Sequence, residues 1–480
     1  MELLIIISLF ILAALISAVV KRQAVMGIFS IVAALVAVIG STMISIGVAK
    51  TGSYNPISLF SVASFGALLL LVISIIGFAV VIYSIKYLRK EFEKNIIGPG
   101  RVKQYFVLLN LFLAAMFLAV TSSSPIFAWI SIEATTLSTA FLISFYNKPS
   151  AVEAAWKYLI INSIGLLLGF FGTLLYFTAL PSSDGFGIAT WQTLLQNISN
   201  LDPSIVKIAF VFVLVGYGTK VGFVPMHTWK PDAYGKSPAP LGALFSGALL
   251  PVAFFVILKF KAVTDSVVGA NFSQGLFIVF GVLSVIIPAL ILLIIKDYKR
   301  LLAYSSIENA GIMALGFGFG GLGVVAAISH MIYHSFIKST LFFLSGNFLL
   351  KYHSAKIFNV RGALKVLPMT SVLFLVGFLA VAGMPPFGIF FTKLSIFSAG
   401  IQNHLAISIL VMLGTVLVFI GFFKHVTAMI FGEKPVGMEK EKENFWLIFP
   451  PLLLLLLVLI LSFYEPVFVE TLINGAALQY

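Results

Sequence analysis

Along the chain, apolar runs of spanning length alternate with short polar or Gly/Pro-containing turns. A helix needs about 20 apolar residues to cross the ~30 Å hydrocarbon core of a bilayer. On that measure the pattern predicts spans at roughly 2–20, 26–48, 60–85, 104–121, 125–146, 155–179, 205–224, 240–262, 273–295, 301–320, 322–349, 367–399, 404–430 and 445–464. That is about fourteen transmembrane helices in an all-α polytopic chain. The first run, Glu2 to Val20, has no basic segment before it and no small-residue cleavage site, so it is expected to be a retained span. No linker, tail or low-complexity stretch suggests a separate domain. The longest turn, Pro181 to Pro203, is polar and acidic and has no lysine or arginine.

Composition supports the same class. Of 480 residues, 60% are hydrophobic and 10% charged, where soluble domains carry about 25% charged residues. The bilayer must therefore solvate most of the chain. The net charge of +13 would raise the question of nucleic acid in a soluble protein; here the basic residues sit between apolar runs and report topology instead. Alternate loops hold 23 of the 30 lysines and arginines, from Lys21-Arg22 to Lys442, while the opposite loops hold Lys50, Lys207, Lys259 and Lys261. This bias predicts cytoplasmic basic loops and both termini outside. The sequence has no cysteine, which excludes disulfides, thiolate metal sites and cysteine-held iron–sulfur clusters within this chain. Any redox chemistry belongs to partners.

Three lysines remain, Lys220, Lys338 and Lys393, and they lie within spans. Two spans are interrupted beside them: the seventh runs into Gly222-Phe-Val-Pro225 and the twelfth into Gly383-Met-Pro-Pro386. Proline inside a span frees backbone carbonyls, which is tolerated where they line a polar cavity. Paired breaks in two halves point to an internal repeat and to a transport site.

The titratable residues inside the apolar runs are the candidate chemistry. Glu133 is costly as a charge in lipid, so it should face the interior and pair or be neutral, unless it sits at the interface as a helix-end carboxylate. Lys220, flanked by Gly216, Gly218 and Gly222, cannot easily snorkel and could gain and lose a proton, or serve as a fixed counter-ion to Glu133. His330, His334 and Lys338 lie at i, i+4 and i+8, aligned on one helix face over about 12 Å. That row suits a proton relay. A zinc site is the rival for the two histidines, but neither a nearby carboxylate or cysteine nor a HExxH pattern accompanies them; no metal is expected. Lys393 follows the second break, with an end-of-helix snorkel as the alternative. Lys157, His227, Asp232 and Glu308 are secondary candidates, read as lying near helix ends or loops where charge is solvated.

Together these residues resemble the antiporter-like membrane subunits of the complex I superfamily, shared with Mrp cation antiporters and membrane-bound hydrogenases. The motifs that carry the resemblance are WISIEATTLS around Glu133, GTKVGFVPMHTWKPDAYGKSPAP around Lys220, DYKRLLAYSSIENAGIMALGFGFGG, HMIYHSFIKSTLFFLSGN and MPPFGIFFTK. EAAWKYLI, DYKRLLAYSSIENAG and KSTLFFLSGN are most similar to the large membrane subunit of hydrogenase-4, formate hydrogenlyase and archaeal membrane-bound hydrogenases. The resemblance implies N-terminal helices over 1–100, two inverted five-helix repeats over 101–262 and 263–432 with broken helices 7 and 12, and a final helix within 433–480. It implies that Glu133 and Lys220 form a glutamate–lysine pair, that His330, His334 and Lys338 form a central relay, and that Lys393 is the terminal cation. The sequence departs from the family in three places: Pro251 replaces a lysine often found in the eighth helix, and Lys230 and Tyr234 replace the usual leucine and histidine of WLPDAH.

The function expected is a non-catalytic, ion-translocating subunit of a redox complex in a prokaryotic cytoplasmic membrane. It would carry protons, or sodium, and hold no cofactor of its own. Its partners would be other membrane subunits, a hydrogenase-like or complex I-like peripheral arm and lipid, not nucleic acid. The alternatives are an Mrp-type sodium/proton antiporter subunit or a stand-alone secondary transporter. The second lacks a visible substrate cage.

Overall fold

The computed structural model describes residues 2–180 and 189–480. The chain starts with α1 (Glu2–Val19) and α2 (Gln23–Thr51), joined at the Lys21-Arg22 turn. Gly52, with φ 83°, closes α2 in the left-handed conformation that glycine tolerates. A small antiparallel hairpin follows, β1 (Ser53–Ile57) and β2 (Phe60–Ala63), before α3 (Ser64–Glu93). The helical class holds, and the hairpin corrects one boundary: residues 60–63 pair as a strand, so the third helix starts later than its apolar run suggests.

The helices α4 (Pro99–Thr121), α5 (Pro125–Ile143) and α6 (Pro149–Thr178) each begin on a proline, whose missing N–H is no loss in a first turn. Residues 181–188 of the expected long turn lie outside the described residues. The rest of that turn forms α7 (Trp191–Gln196), ahead of α8 (Pro203–Val221) and α9 (Trp229–Lys236). The next helix is continuous from Ala239 to Val268 and buried from Ala239 through Leu258. It comprises α10 (Ala239–Leu244), a widened π turn at Phe245–Leu249 and α11 (Leu250–Val268). Pro251, which cannot donate to the preceding turn, follows directly on that widening. Lys259 and Lys261, expected in a loop, belong to the last turns of α11, where Lys261 pairs with Asp265 at 2.5 Å.

Beyond lie α12 (Ala270–Leu292), α13 (Tyr298–Phe319), α14 (Leu322–Tyr352) and α15 (Ala363–Val366). They are followed by α16 (Pro368–Ala382), α17 (Gly388–Asn403), α18 (Leu405–Phe431), α19 (Phe445–Phe463) and α20 (Val467–Ala477). Among the described residues, eleven helices are long and apolar enough to cross a membrane. The 22-residue α13 and 31-residue α14 have the length as well, but carry the buried polar groups of the site. The outer helices turn leucine, isoleucine and phenylalanine outward: on α18, Leu405, Ile409, Leu413, Val416 and Ile420 are exposed, as a lipid-facing stripe requires.

Glycines set the tightest helix contacts. A Cβ on Gly216 of α8 would lie 2.3 Å from the Gly169 nitrogen of α6, and one on Gly172 would lie 2.7 Å from the Ala209 carbonyl. The two backbones therefore touch, as small residues permit between helices in lipid. That approach brings the polar side chains of α6 to the end of α8.

Candidate functional site

Both expected breaks exist, and they share a backbone. The helix α8 ends at Gly222 (φ 88°, ψ 38°) and α16 at Gly383 (φ 88°, ψ 43°). The bonds Val224–Pro225 and Pro385–Pro386 are both cis. In the first break the freed carbonyls find donors from α9. Trp229 Nε1 donates to Thr219 O at 2.9 Å and Lys230 Nζ to Val221 O at 2.7 Å. Gly222 is needed for this, since a Cβ there would sit 2.7 Å from Lys230 Cδ. Lys230, read from sequence as a loop residue, is thus 1% exposed. The break folds its short helix back into the protein and carries the lysine with it.

Lys220 is buried at the end of α8. Its ammonium donates to Thr136 Oγ1 at 2.8 Å and to Tyr158 OH at 2.7 Å, and lies 4.8 Å from the Tyr158 ring centroid. Glu133 is half-buried one turn before Thr136 on α5. Its Oε1 accepts from Ser163 Oγ at 3.0 Å, while Oε2 is buried without a protein partner. The glutamate and lysine share a site, yet no direct ion pair joins them; neutral hydroxyls of α5 and α6 stand around the ammonium.

The second half differs. Lys393 of α17 is buried and forms an ion pair with Glu308 Oε1 at 3.1 Å. Glu308 is 1% exposed in the middle of α13, which corrects its reading as a solvated helix-end charge. Its Oε2 accepts from Asn309 Nδ2 at 2.6 Å. Asn309 Oδ1 lies 3.0 Å from His330 Nε2, and His330 Nδ1 lies 2.9 Å from Thr392 Oγ1, next to Lys393. The network returns to the helix on which it began. Lys393 is therefore held by a carboxylate and does not snorkel.

Between the halves, His330, His334 and Lys338 line α14 and are all buried. Lys338 Nζ donates to Leu302 O at 2.7 Å and sits 5.9 Å from the Phe342 ring centroid. Neither ring nitrogen of His334 has a protein partner. Burying two such groups in a dry interior is unfavourable, which sets His334 apart from the hydrogen-bonded His330 on the same helix face. Aromatic rings link the central lysines. Lys230 Nζ lies 5.7 Å from the Tyr234 centroid, and Tyr234 meets Phe342 at 5.3 Å.

The remaining secondary candidates divide. Lys157 is exposed and pairs with Glu153 at 2.6 Å and Asp232 at 3.4 Å, while Asp232 also accepts from Arg300 at 2.8 Å. These form a solvated surface cluster, as expected. His227 is buried in the turn between α8 and α9, not solvated. Asp297 caps α13 by accepting from the Lys299 and Arg300 amides, and burial pushes its carboxyl above the usual range. Glu308, Lys230 and Asn309 are the site residues that the sequence reading undervalued. Among the described residues, no three His, Asp or Glu side chains gather as a metal site.

The sequence signature of the family described as NADH:quinone oxidoreductase/Mrp antiporter, transmembrane, matches residues 122–421. The chain is 34% identical over 395 residues to a hydrogenase-4 component F homolog of Methylacidiphilum infernorum, covering 82% of this chain and 83% of that one. It is 28% identical to hydrogenase-4 component B of Escherichia coli, covering 69% of this chain and 49% of that longer protein. Among solved structures, a chain of the archaeal membrane-bound sulfane sulfur reductase superposes with a TM-score of 0.88 at 24% identity, over 99% of this chain and 97% of that chain. A chain of the Mrp complex from Dietzia sp. DQ12-45-1b superposes at 0.87 and 20% identity, over 100% and 97%.

Proposed function

Because the chain belongs to the NADH:quinone oxidoreductase/Mrp antiporter transmembrane family, we propose that it is the ion-translocating membrane subunit of a multi-subunit redox complex of the hydrogenase kind, and that it carries protons. The observation that carries this reading is the run of titratable groups from half-buried Glu133 through the buried Lys220, Lys230, Lys338, His334 and His330 to the buried Lys393 and Glu308. A charge at the bilayer centre costs at least ~2.5–3.5 kcal/mol on insertion scales. A chain that places lysines there repeatedly is using them. Lysine and histidine exchange protons readily when buried, and their arrangement in a row, not a cage, suits a small cation.

Electron transfer then belongs to partner subunits and a peripheral arm, and this subunit converts their driving force into ion movement. The basic loops face the cytoplasm, with both termini outside, in a prokaryotic cytoplasmic membrane. An Mrp-type sodium/proton antiporter subunit is the second reading, supported by the 0.87 superposition on the Dietzia Mrp chain. In reconstituted vesicles holding the complete complex, internal pH and internal sodium are followed during turnover. The proposal expects electron flow to acidify or alkalinise the lumen whether sodium or choline is present. Ion movement that occurs without electron flow and tracks a sodium gradient selects the antiporter reading; electron flow with no ion movement rejects both.

A further inference from the structure

Beside the central relay lies a cavity of about 380 Å³ that takes no part in the site described above. Its rim carries the exposed Lys148, Lys236 and His353, and its inner wall carries Glu91, Tyr146 and Lys299. Two of the inner groups are ionisable and buried: Glu91 at the end of α3 is 3% exposed, and Lys299 at the start of α13 is 1% exposed. Tyr146 OH donates to Glu91 Oε1 at 2.6 Å, and Glu91 Oε2 is buried without a protein partner. Lys299 Nζ donates to the Ser237 carbonyl at 2.5 Å. Carboxylate and ammonium share the cavity without touching, each held by neutral groups. Glu133 and Lys220 have the same arrangement.

The cavity also points at the relay. Lys299 and Leu302 are three residues apart on α13, about 4.5 Å of helix rise, and Leu302 O is the acceptor that holds Lys338 Nζ. On the other side, Tyr83, Tyr87 and Glu91 lie at i, i+4 and i+8 on α3 and face α14. Tyr83 OH donates to Phe343 O at 2.7 Å, and the Tyr87 and Tyr146 hydroxyls are 3.2 Å apart. The other charges near Glu91 on its own helix are engaged elsewhere: Lys90 pairs with Glu441, and Lys94 donates to Leu350 O.

We propose that this cavity is a loading vestibule in which Glu91 and Lys299 form a third carboxylate–lysine couple, passing protons between the basic-loop surface and Lys338. The Glu91 carboxylate takes a proton from water at the rim and becomes neutral. It gives that proton to neutral Lys299, which regenerates the carboxylate and forms the ammonium; Lys299 then protonates neutral Lys338. Lys148 and Lys236 give the mouth positive charge, which disfavours a resting metal cation. Burial holds the His353 imidazole below its usual value, so this rim group is neutral at physiological pH.

The inference rests on the proposed function, and its test separates the two. Glu91→Gln keeps the volume of the side chain and an acceptor for Tyr146. In the complete reconstituted complex it should lower the rate of ion pumping on the order of a hundredfold, with unchanged assembly and thermal midpoint. Glu91→Asp should restore part of the rate with a displaced pH profile. Wild-type rate and pH profile in Glu91→Gln, alongside an inactive Lys220→Ala, overturns the vestibule and leaves the proposed function standing. Pumping by Lys220→Ala as well would sink the proposed function itself. If Glu91→Gln lowers stability and rate together, Lys299→Met decides: unaltered pumping across pH rejects the couple.

Discussion

The two broken helices hold their lysines in opposite electrostatic arrangements. At the first, Lys220 leans on the hydroxyls of Thr136 and Tyr158, while Glu133 is engaged by Ser163. At the second, Lys393 and Glu308 touch at 3.1 Å, and the carboxylate is steadied by Asn309. The backbone break is the same in both, so the difference lies in where the acid stands. In the first half it comes from α5 and in the second from α13. Two interacting charges at ~8–12 Å couple by about 1–2 kcal/mol at an effective dielectric near 20, whereas contact couples them more strongly. The first site keeps its two charges apart among neutral hydroxyls; the second holds them in direct contact. One fold thus presents a loose and a tight setting of one device, with the α14 row between them.

The largest effect should come from Lys220→Ala, which removes the loosely held proton carrier. Transport by the reconstituted complex should fall to background while the complex still assembles. Glu308→Gln attacks the tight setting. It leaves Lys393 buried with its countercharge gone, and losing one partner of a buried pair typically costs ~3–5 kcal/mol. The thermal midpoint of the complex should drop along with transport. Glu133→Gln should spare stability by comparison, because no direct pair is broken there; equal midpoint losses in the two variants would erase the contrast between the halves.

His334→Gln probes the connection. With no protein partner to lose, the variant should slow transport several-fold and change stability by under ~1 kcal/mol; proportional losses in rate and midpoint would make the histidine structural. The smallest effect belongs to Glu441→Gln, far from the relay. Burial works against ionisation of Glu441, but the Lys90 hydrogen bond at 2.9 Å and the charges of Lys90, Lys351 and Lys94 outweigh it and hold its carboxyl below the ordinary 4.5. That stabilisation is fully present above pH 4.5 and is lost as pH falls through the lowered value. Being partly solvated, the pair should contribute only about 0.2–1 kcal/mol at neutral pH, with transport unchanged in the variant.

Much of this organisation was legible in the residues. Apolar run length gave the helices, and Gly-x-x-Pro gave both breaks, because a bilayer punishes unsatisfied backbone so heavily that sequence must announce each exception. The row at His330, His334 and Lys338 followed from helical period alone. What escaped was partnership across helices. Glu308 stands in an apolar run as Glu133 does, and the same reasoning about charge in lipid applied to it. Its place near the start of the run made it look solvated. Lys230 was legible as a departure from the family motif but not as buried, since its position depends on how the chain folds back after Gly222. Glu91 carried no sequence signal of its own, because nothing local says that α3 continues, helical and covered, past its apolar stretch.

The central claim is that Lys220 works by changing its protonation and not as a fixed positive charge. Lys220→Arg tests it most directly, since arginine keeps the charge and stays protonated in proteins. Ions moved per electron are measured in vesicles containing the assembled complex, beside the wild type and Lys220→Ala. The account predicts that Lys220→Arg assembles and supports electron transfer but moves few or no ions. Coupling at the wild-type ratio in Lys220→Arg would contradict it.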